Sequence, residues 1–219
     1  MATWQKKEIV LEDGRIVDAQ HPQIISASRS TDIPAFYCDW FFLRLEKGYS
    51  AWTNPFNGAK SYVAYDQTRF IVFWSKNPHS LLKYLPKLKE RGIGCYVQYS
   101  LNDYEKEGLE KSVPSLSFRI ETFKELVRQL GKGGVIWRFD PLILTDKISM
   151  DDLLVKIENI GDQLHGYTEK LVFSFADITV YRKVKKNLDD AGVHYLEWTK
   201  DQMIEFAKRL VALNPTCSF

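Results

Sequence analysis

Two side chains of opposite charge stand two positions apart in an apolar run near the middle of the chain. Arg138 and Asp140 alternate with Trp137 and Phe139 in this run. Residues two apart in a β-strand point to the same face, so we expect the arginine and the aspartate to lie together, opposite the two rings. A buried arginine or carboxylate is costly unless it pairs or meets a ligand. The pattern therefore predicts a ligand-binding site, with a structural ion pair as the alternative.

Two more charged clusters follow apolar runs nearer the start of the chain. Arg29 could clamp a carboxylate or phosphate with its two-pronged donors, and Asp32, three positions later, could orient it. The alternative for this cluster is a helix cap with an intramolecular ion pair. Lys76 follows the apolar run at 69–74. We interpret it as an anion-binding lysine, the alternatives being a base or Schiff-base lysine and a side chain that reaches the solvent.

Neutral polar residues and one further acid follow the remaining apolar runs. Most of them could equally be turn or capping residues, whereas Gln98 and Ser174 are expected to point inward. No catalytic residue is identified by the pattern, and the four histidines form no metal-binding pair or triad. The predicted substrate- or cofactor-binding residues are Arg29, Asp32, Asn54, Lys76, Asn77, Gln98, Arg138, Asp140, Ser174 and Asp177.

The elements that must position these residues follow a βα rhythm. Six short apolar runs alternate with helical segments, which is typical of parallel strands buried on both faces. The prediction is an α/β fold, a partial or open (β/α) barrel of about six parallel strands, TIM-barrel-like, over residues 23–219. A short N-terminal hairpin over residues 1–22, turning at Asp13-Gly14, precedes it. In such a barrel the polar residues that follow the strands converge on one mouth.

Local signals set the expected bounds of single elements. Helices are predicted over residues 35–46, 80–91, 117–130, 149–164 and 199–212. Gly48 is expected to end the first helix, and Ser80 and Ser149 are expected to open the second and the fourth. Residues 49–53 are expected to form the second barrel strand, and residues 60–67 an extra edge strand. The long polar connection from Asn102 to Pro114 is of a length that is often functional.

The composition of the chain limits the classes of partner that we expect it to bind. With 30 basic and 28 acidic residues the formal charge is +2, so no global field attracts nucleic acid, which is therefore an unfavoured partner. No apolar run is long enough to span a membrane and no signal peptide opens the chain, so we expect a cytoplasmic protein without a membrane partner. The three cysteines are far apart and are expected to be reduced thiols. A small anionic ligand or substrate is the expected partner.

Four segments, taken together, resemble a known family. Residues 25–37, 54–57, 71–78 and 135–144 are similar, in order and spacing, to the bacterial domain-of-unknown-function family 1848. The resemblance covers the chain from about residue 23 to its end. It assigns no established catalytic residue to any of the candidate positions.

The resemblance also implies a region beyond this chain. Members of the family continue into a cysteine cluster similar to the iron–sulfur motif of radical S-adenosylmethionine enzymes, so the chain is expected to be a truncated piece of a longer protein. The resemblance thus implies that this chain is the barrel portion of such an enzyme. The longer protein would hold a [4Fe–4S] cluster and S-adenosylmethionine. The alternative is a cofactor-independent barrel enzyme or a small-anion-binding module, and nucleic-acid processing is a weaker third hypothesis.

Overall fold

The structure is a computed structural model that describes residues 6–27, 31–54 and 56–213. The strands are β1 Lys6–Val10, β2 Ile16–Gln20, β3 Ile24–Ala27, β4 Tyr49–Thr53, β5 Lys60–Ala64, β6 Phe70–Ser75, β7 Gly94–Ser100, β8 Val135–Leu142, β9 Leu144–Thr145, β10 Leu171–Phe175 and β11 Tyr195–Leu196. The α-helices are α1 Ile33–Phe36, α2 Cys38–Lys47, α3 Leu85–Glu90, α4 Leu116–Leu130, α5 Met150–Gln163, α6 Arg182–Asp190 and α7 Lys200–Leu213. Short 3₁₀ helices cover His79–Tyr84 and Lys132–Gly134.

The largest sheet is open and mainly parallel. It has five strands in the order β10-β8-β7-β6-β3. Strand β3 pairs with β6, and β8 pairs with β10, in parallel register. The mixed α/β fold is thus confirmed. The predicted barrel is not: the described residues form no closed barrel, and five strands rather than six form the sheet.

Strand β4 explains why the prediction of six strands was wrong. Predicted as the second barrel strand, it instead pairs antiparallel with β5 in a separate four-stranded sheet of order β1-β2-β5-β4. Its end, Ala51–Thr53, is exposed, which does not suit a strand buried on both faces. Residues 60–64 are indeed a strand, but β5 lies between β2 and β4 rather than at an edge.

The predicted N-terminal hairpin is present. Strands β1 and β2 pair antiparallel, with Lys6 opposite Gln20 and Val10 opposite Ile16. The amide of Leu11 donates to the carbonyl of Arg15 at 2.8 Å to close the turn. Gly14 has a φ of 83°, a left-handed conformation that glycine adopts without a steric penalty.

The helix bounds show which local signals were decisive. Helix α5 begins after Ser149, as predicted, and α2 ends at Gly48 with a φ of 85°. The prediction for Ser80 was wrong: Ser80 lies within a 3₁₀ helix, and α3 begins only at Leu85. Pro86 is the physical reason, because proline is tolerated in the first turn of an α-helix but breaks its interior.

The described chain divides into two compact units between Val97 and Gln98, within β7. The core of the first unit is aromatic, with the rings of Phe41 and Phe73 5.8 Å apart. The second unit has its own aromatic cluster, in which Trp198 lies 4.7 Å from Phe175 and 5.4 Å from Phe206. Throughout the described ranges, no helix is both long and apolar enough to cross a lipid bilayer.

Candidate functional site

Four predicted site residues meet at the ends of neighbouring strands in the second unit. Gln98 lies on β7, Arg138 and Asp140 on β8, and Ser174 on β10. We call these four residues the strand-end network. Strand alternation explains the placement, since the flanking Trp137 and Phe139 are only 3% and 0% exposed on the other face.

Arg138 is the centre of the hydrogen bonding in this network. Its Nε and one terminal nitrogen donate to Oδ2 of Asp140 at 3.2 and 2.7 Å. Its other terminal nitrogen donates to Oε1 of Gln98 at 3.1 Å. The hydroxyl of Ser174 donates to the second carboxylate oxygen of Asp140. The side chains of Arg138 and Asp140 are 15% and 27% exposed, so the ion pair is partly open to solvent.

A buried amide that the sequence prediction missed fixes the backbone of Asp140. The side chain of Asn102 accepts from the amide of Asp140 at 2.9 Å and donates to its carbonyl at 3.1 Å. Asn102 is fully buried and also donates to Glu110 at 3.0 Å. Its position just after β7 was noted in the sequence, but its partner lies 38 residues away, and only the fold reveals the contact.

The long connection after β7 supports the network from inside the second unit. Tyr104, 1% exposed, donates to the carbonyl of Pro141 at 2.8 Å and accepts from the amide of Ile143 at 3.0 Å. Burial raises the pKa of Tyr104 far above its ordinary value, which keeps this phenol protonated as a donor. The indole of Trp137 donates to the carbonyl of Leu101 at 3.0 Å. These bonds hold the end of β8 in one position.

Asp32 has structural partners in the first unit. One carboxylate oxygen accepts from the amide of Ala35 at 3.0 Å and so caps α1. The other accepts from the backbone amide of Lys76 at 2.8 Å. The bonds of Asp32 therefore fit the helix-cap alternative given for the cluster of Arg29 and Asp32. Arg29 itself lies outside the described residues.

The other predicted residues of the first unit lie in turns. The amide of Asn77 donates to Ser75 at 3.0 Å, and the side-chain oxygen of Asn77 is buried with no hydrogen-bond partner in the part of the chain that the structure describes. The side chain of Lys76 is half-buried after β6. Asn54 accepts from the amide of Phe56 at 2.9 Å, as an Asx turn does, within the β4–β5 connection. Ligand roles for these residues stay predictions.

Asp177, in the second unit, follows β10 but is exposed. It accepts a long hydrogen bond of 3.4 Å from the hydroxyl of Thr179 in its own loop. No contact between Asp177 and the strand-end network is seen among the described residues. Its assignment to the site stays a prediction.

Among the described residues, the side chains that could act as metal ligands do not fit an iron–sulfur cluster. In the described ranges, no three His, Cys, Asp or Glu residues are grouped to hold a metal. Burial raises the pKa of Cys38 to about 12 and that of Cys95 to about 11, which disfavours the thiolates that such a cluster needs. Cys217 lies outside the described residues.

Comparison with known proteins gives a family. No curated protein matches the chain. A family model described as "Domain of unknown function (DUF1848)" matches residues 24–218, which is most of the chain and includes all ten predicted site residues. The match agrees with the resemblance of the four segments. The chain therefore belongs to the DUF1848 family.

Proposed function

We propose that the chain is a small-molecule-binding domain that holds its ligand against the strand-end network of the second unit. The observation that carries the proposal is the Arg138–Asp140 pair, which joins opposite charges at 2.7 Å while staying partly open to solvent. Open parallel sheets commonly bind ligands beyond the carboxyl ends of their strands. Asn102 and Ser174 hold the pair in place, so a ligand meets groups that are already oriented.

The chemistry of the pair narrows the expected ligand. Because Asp140 already neutralises Arg138, a simple anion would have to displace that carboxylate and leave it without its cation. A ligand that carries both an anionic and a cationic group avoids this cost, since it offers each member of the pair a new partner. The head group of an α-amino acid, a carboxylate beside an ammonium, has this chemistry. The expected small anionic ligand thus becomes a zwitterionic one.

A second candidate function uses the same site. S-adenosylmethionine carries an α-amino-acid head group, so the charge pattern of the strand-end network also favours the interpretation as part of a radical S-adenosylmethionine-like enzyme. The cluster of such an enzyme has no ligand set among the described residues. The cofactor-independent alternative requires only the head-group contacts, and the proposal is therefore limited to binding.

The test is a thermal-shift panel on the full chain. Glycine, L-methionine and S-adenosylmethionine are the zwitterionic probes, and acetate, inorganic phosphate and methylamine are the comparators with a single sign of charge. We expect at least one zwitterionic probe to raise the Tm in a saturable way, and the comparators to have no such effect. Binding to the native state alone raises stability by mass action.

Two variants tie the effect to the site. Arg138→Gln should abolish the shift, whereas Arg128→Gln, which removes the same charge from an exposed ion pair on α4, should keep it. Ser174→Ala, which deletes only a hydroxyl, should weaken binding and serves if Arg138→Gln fails to fold. Shifts of equal size with acetate, full shifts that persist in both Arg138→Gln and Ser174→Ala, or no shift with any zwitterionic probe would overturn the proposal.

A further inference from the structure

The first unit contains a cavity of about 490 Å³. It is lined by the end of β3, by α1 and α2, and by β4 and β5. We call it the aromatic cleft. Small-molecule sites commonly enclose about 300–1,000 Å³, so the aromatic cleft has the size of a ligand site.

Large aromatic side chains in the lining are left half-exposed. Tyr37, Trp40 and Trp52 line the cleft and are 50%, 45% and 50% exposed. Trp40 comes from α2 and Trp52 from β4, so two separate elements contribute an indole. Grouped exposed aromatic surface is typical of binding sites, because the rings gain from being covered.

The polar groups in the lining are hydroxyls. Tyr65, buried at 5% exposure, donates from its hydroxyl to Ser50 at 2.6 Å. Burial raises the pKa of Tyr65, so the phenol stays protonated and can donate in this bond. The Ser50 oxygen is an acceptor in this bond, and no acceptor for its own hydroxyl hydrogen is seen among the described residues, so a ligand could supply one. Among the described residues, no charged side chain lines the cleft.

We propose that the aromatic cleft binds an uncharged planar heteroaromatic ring of nucleobase size, covering Trp40 and Trp52 and bonding at its edge to the Ser50–Tyr65 pair. Ring faces stack on indoles whatever their exact substitution. The described lining consists of apolar side chains, aromatic rings and hydroxyl groups, which suit an uncharged ring. The few hydroxyls fit the edge of a flat ring better than the many hydroxyl groups of a sugar. This proposal does not depend on the strand-end network.

Saturation-transfer NMR on the full chain tests the aromatic cleft. The probes are adenosine, guanosine, cytidine and uridine, with adenosine 5′-monophosphate and glucose as comparators. We expect at least one nucleoside to bind saturably, with more saturation on its base protons than on its ribose protons. The monophosphate should bind more weakly than adenosine, and glucose should not bind.

Variants assign any binding to the cleft. Trp52→Ala and Trp40→Ala should each weaken the affinity about tenfold, the size expected from the loss of one stacking partner. Phe36→Ala removes a ring that is 67% exposed on α1 but does not line the cleft, and should leave affinity unchanged. No saturable binding of any nucleoside, binding dominated by the ribose, or an affinity that both tryptophan variants leave unchanged would overturn the proposal. Arg138→Gln should leave the affinity for nucleosides unchanged, so the result of this test is independent of the test of the strand-end network.

Discussion

At the scale of single residues, Asp140 is fixed through its side chain and its backbone at once. Arg138 and Ser174 bond to its carboxylate, and Asn102 bonds to its amide and its carbonyl. The shared face of Arg138 and Asp140 follows from strand alternation and could be predicted from sequence. The role of Asn102 could not be predicted, because its hydrogen bonds to Asp140 depend on which strand end packs beside it.

Asp140→Asn should lower the free energy of unfolding by about 1–3 kcal/mol, because it removes the charge of the carboxylate that accepts two hydrogen bonds from the half-buried Arg138. Urea unfolding measures the loss. The double variant Arg138→Gln/Asp140→Asn should be more stable than the sum of the two single losses predicts, since both single changes break the same ion pair. Strict additivity of the two single changes would show that the pair does not act as a unit.

Cys38 and Cys95 should make stability depend on alkaline pH. Burial raises their pKa values from an ordinary 9.0 to about 12 and about 11. The unfolded chain therefore releases these thiol protons first, and the stabilisation, complete below about pH 9, is lost as the pH rises toward 11–12. Urea unfolding at pH 8 and pH 10 should show a larger loss for the natural sequence than for Cys38→Ala/Cys95→Ala. Equal losses in the two proteins would contradict the thiol assignment.

At the scale of elements, the signals that lie within a few residues of each other were the reliable ones. The N-cap of α5 and the glycine that ends α2 depend only on local backbone geometry, and both were predicted. The partner of β4 was not predicted, although β5 is the next strand in the chain, because the residue pattern of a short strand does not show whether it pairs with its neighbour or joins the parallel sheet. Periodicity alone cannot distinguish these outcomes.

Ser149→Ala should destabilise the chain by about 1 kcal/mol, because it removes the hydroxyl that caps α5. The amide of Asp152 donates to this hydroxyl at 3.2 Å, and the amide of Ser149 donates back to Asp152 at 2.8 Å. Ser80→Ala is the matched control, since Ser80 does not cap an α-helix. Its effect should stay within about 0.5 kcal/mol in the same chemical denaturation experiment. Equal losses for the two serines would contradict this difference in role.

At the scale of the whole molecule, the alternation of strands and helices was correctly predicted, whereas the six-stranded barrel arrangement was not. Alternation is encoded in each βα segment, whereas closure requires every strand to enter one sheet. Here β3 pairs directly with β6, and β4 belongs to the smaller sheet with the N-terminal hairpin. Within the first unit Asp32 accepts from the backbone amide of Lys76, and within the second unit four predicted residues form the strand-end network.

The arginine side-chain signals of the ¹⁵N-labelled chain decide most directly whether the strand-end network binds a ligand. The Nε–H signal of Arg138, assigned by its loss in Arg138→Gln, should shift saturably as glycine, L-methionine or S-adenosylmethionine is added, because the guanidinium exchanges Asp140 for the ligand carboxylate. The signal of Arg128 should stay in place under the same titration. An Arg138 signal that moves with none of these compounds, or that moves equally with acetate, would contradict binding of a zwitterionic ligand at this site.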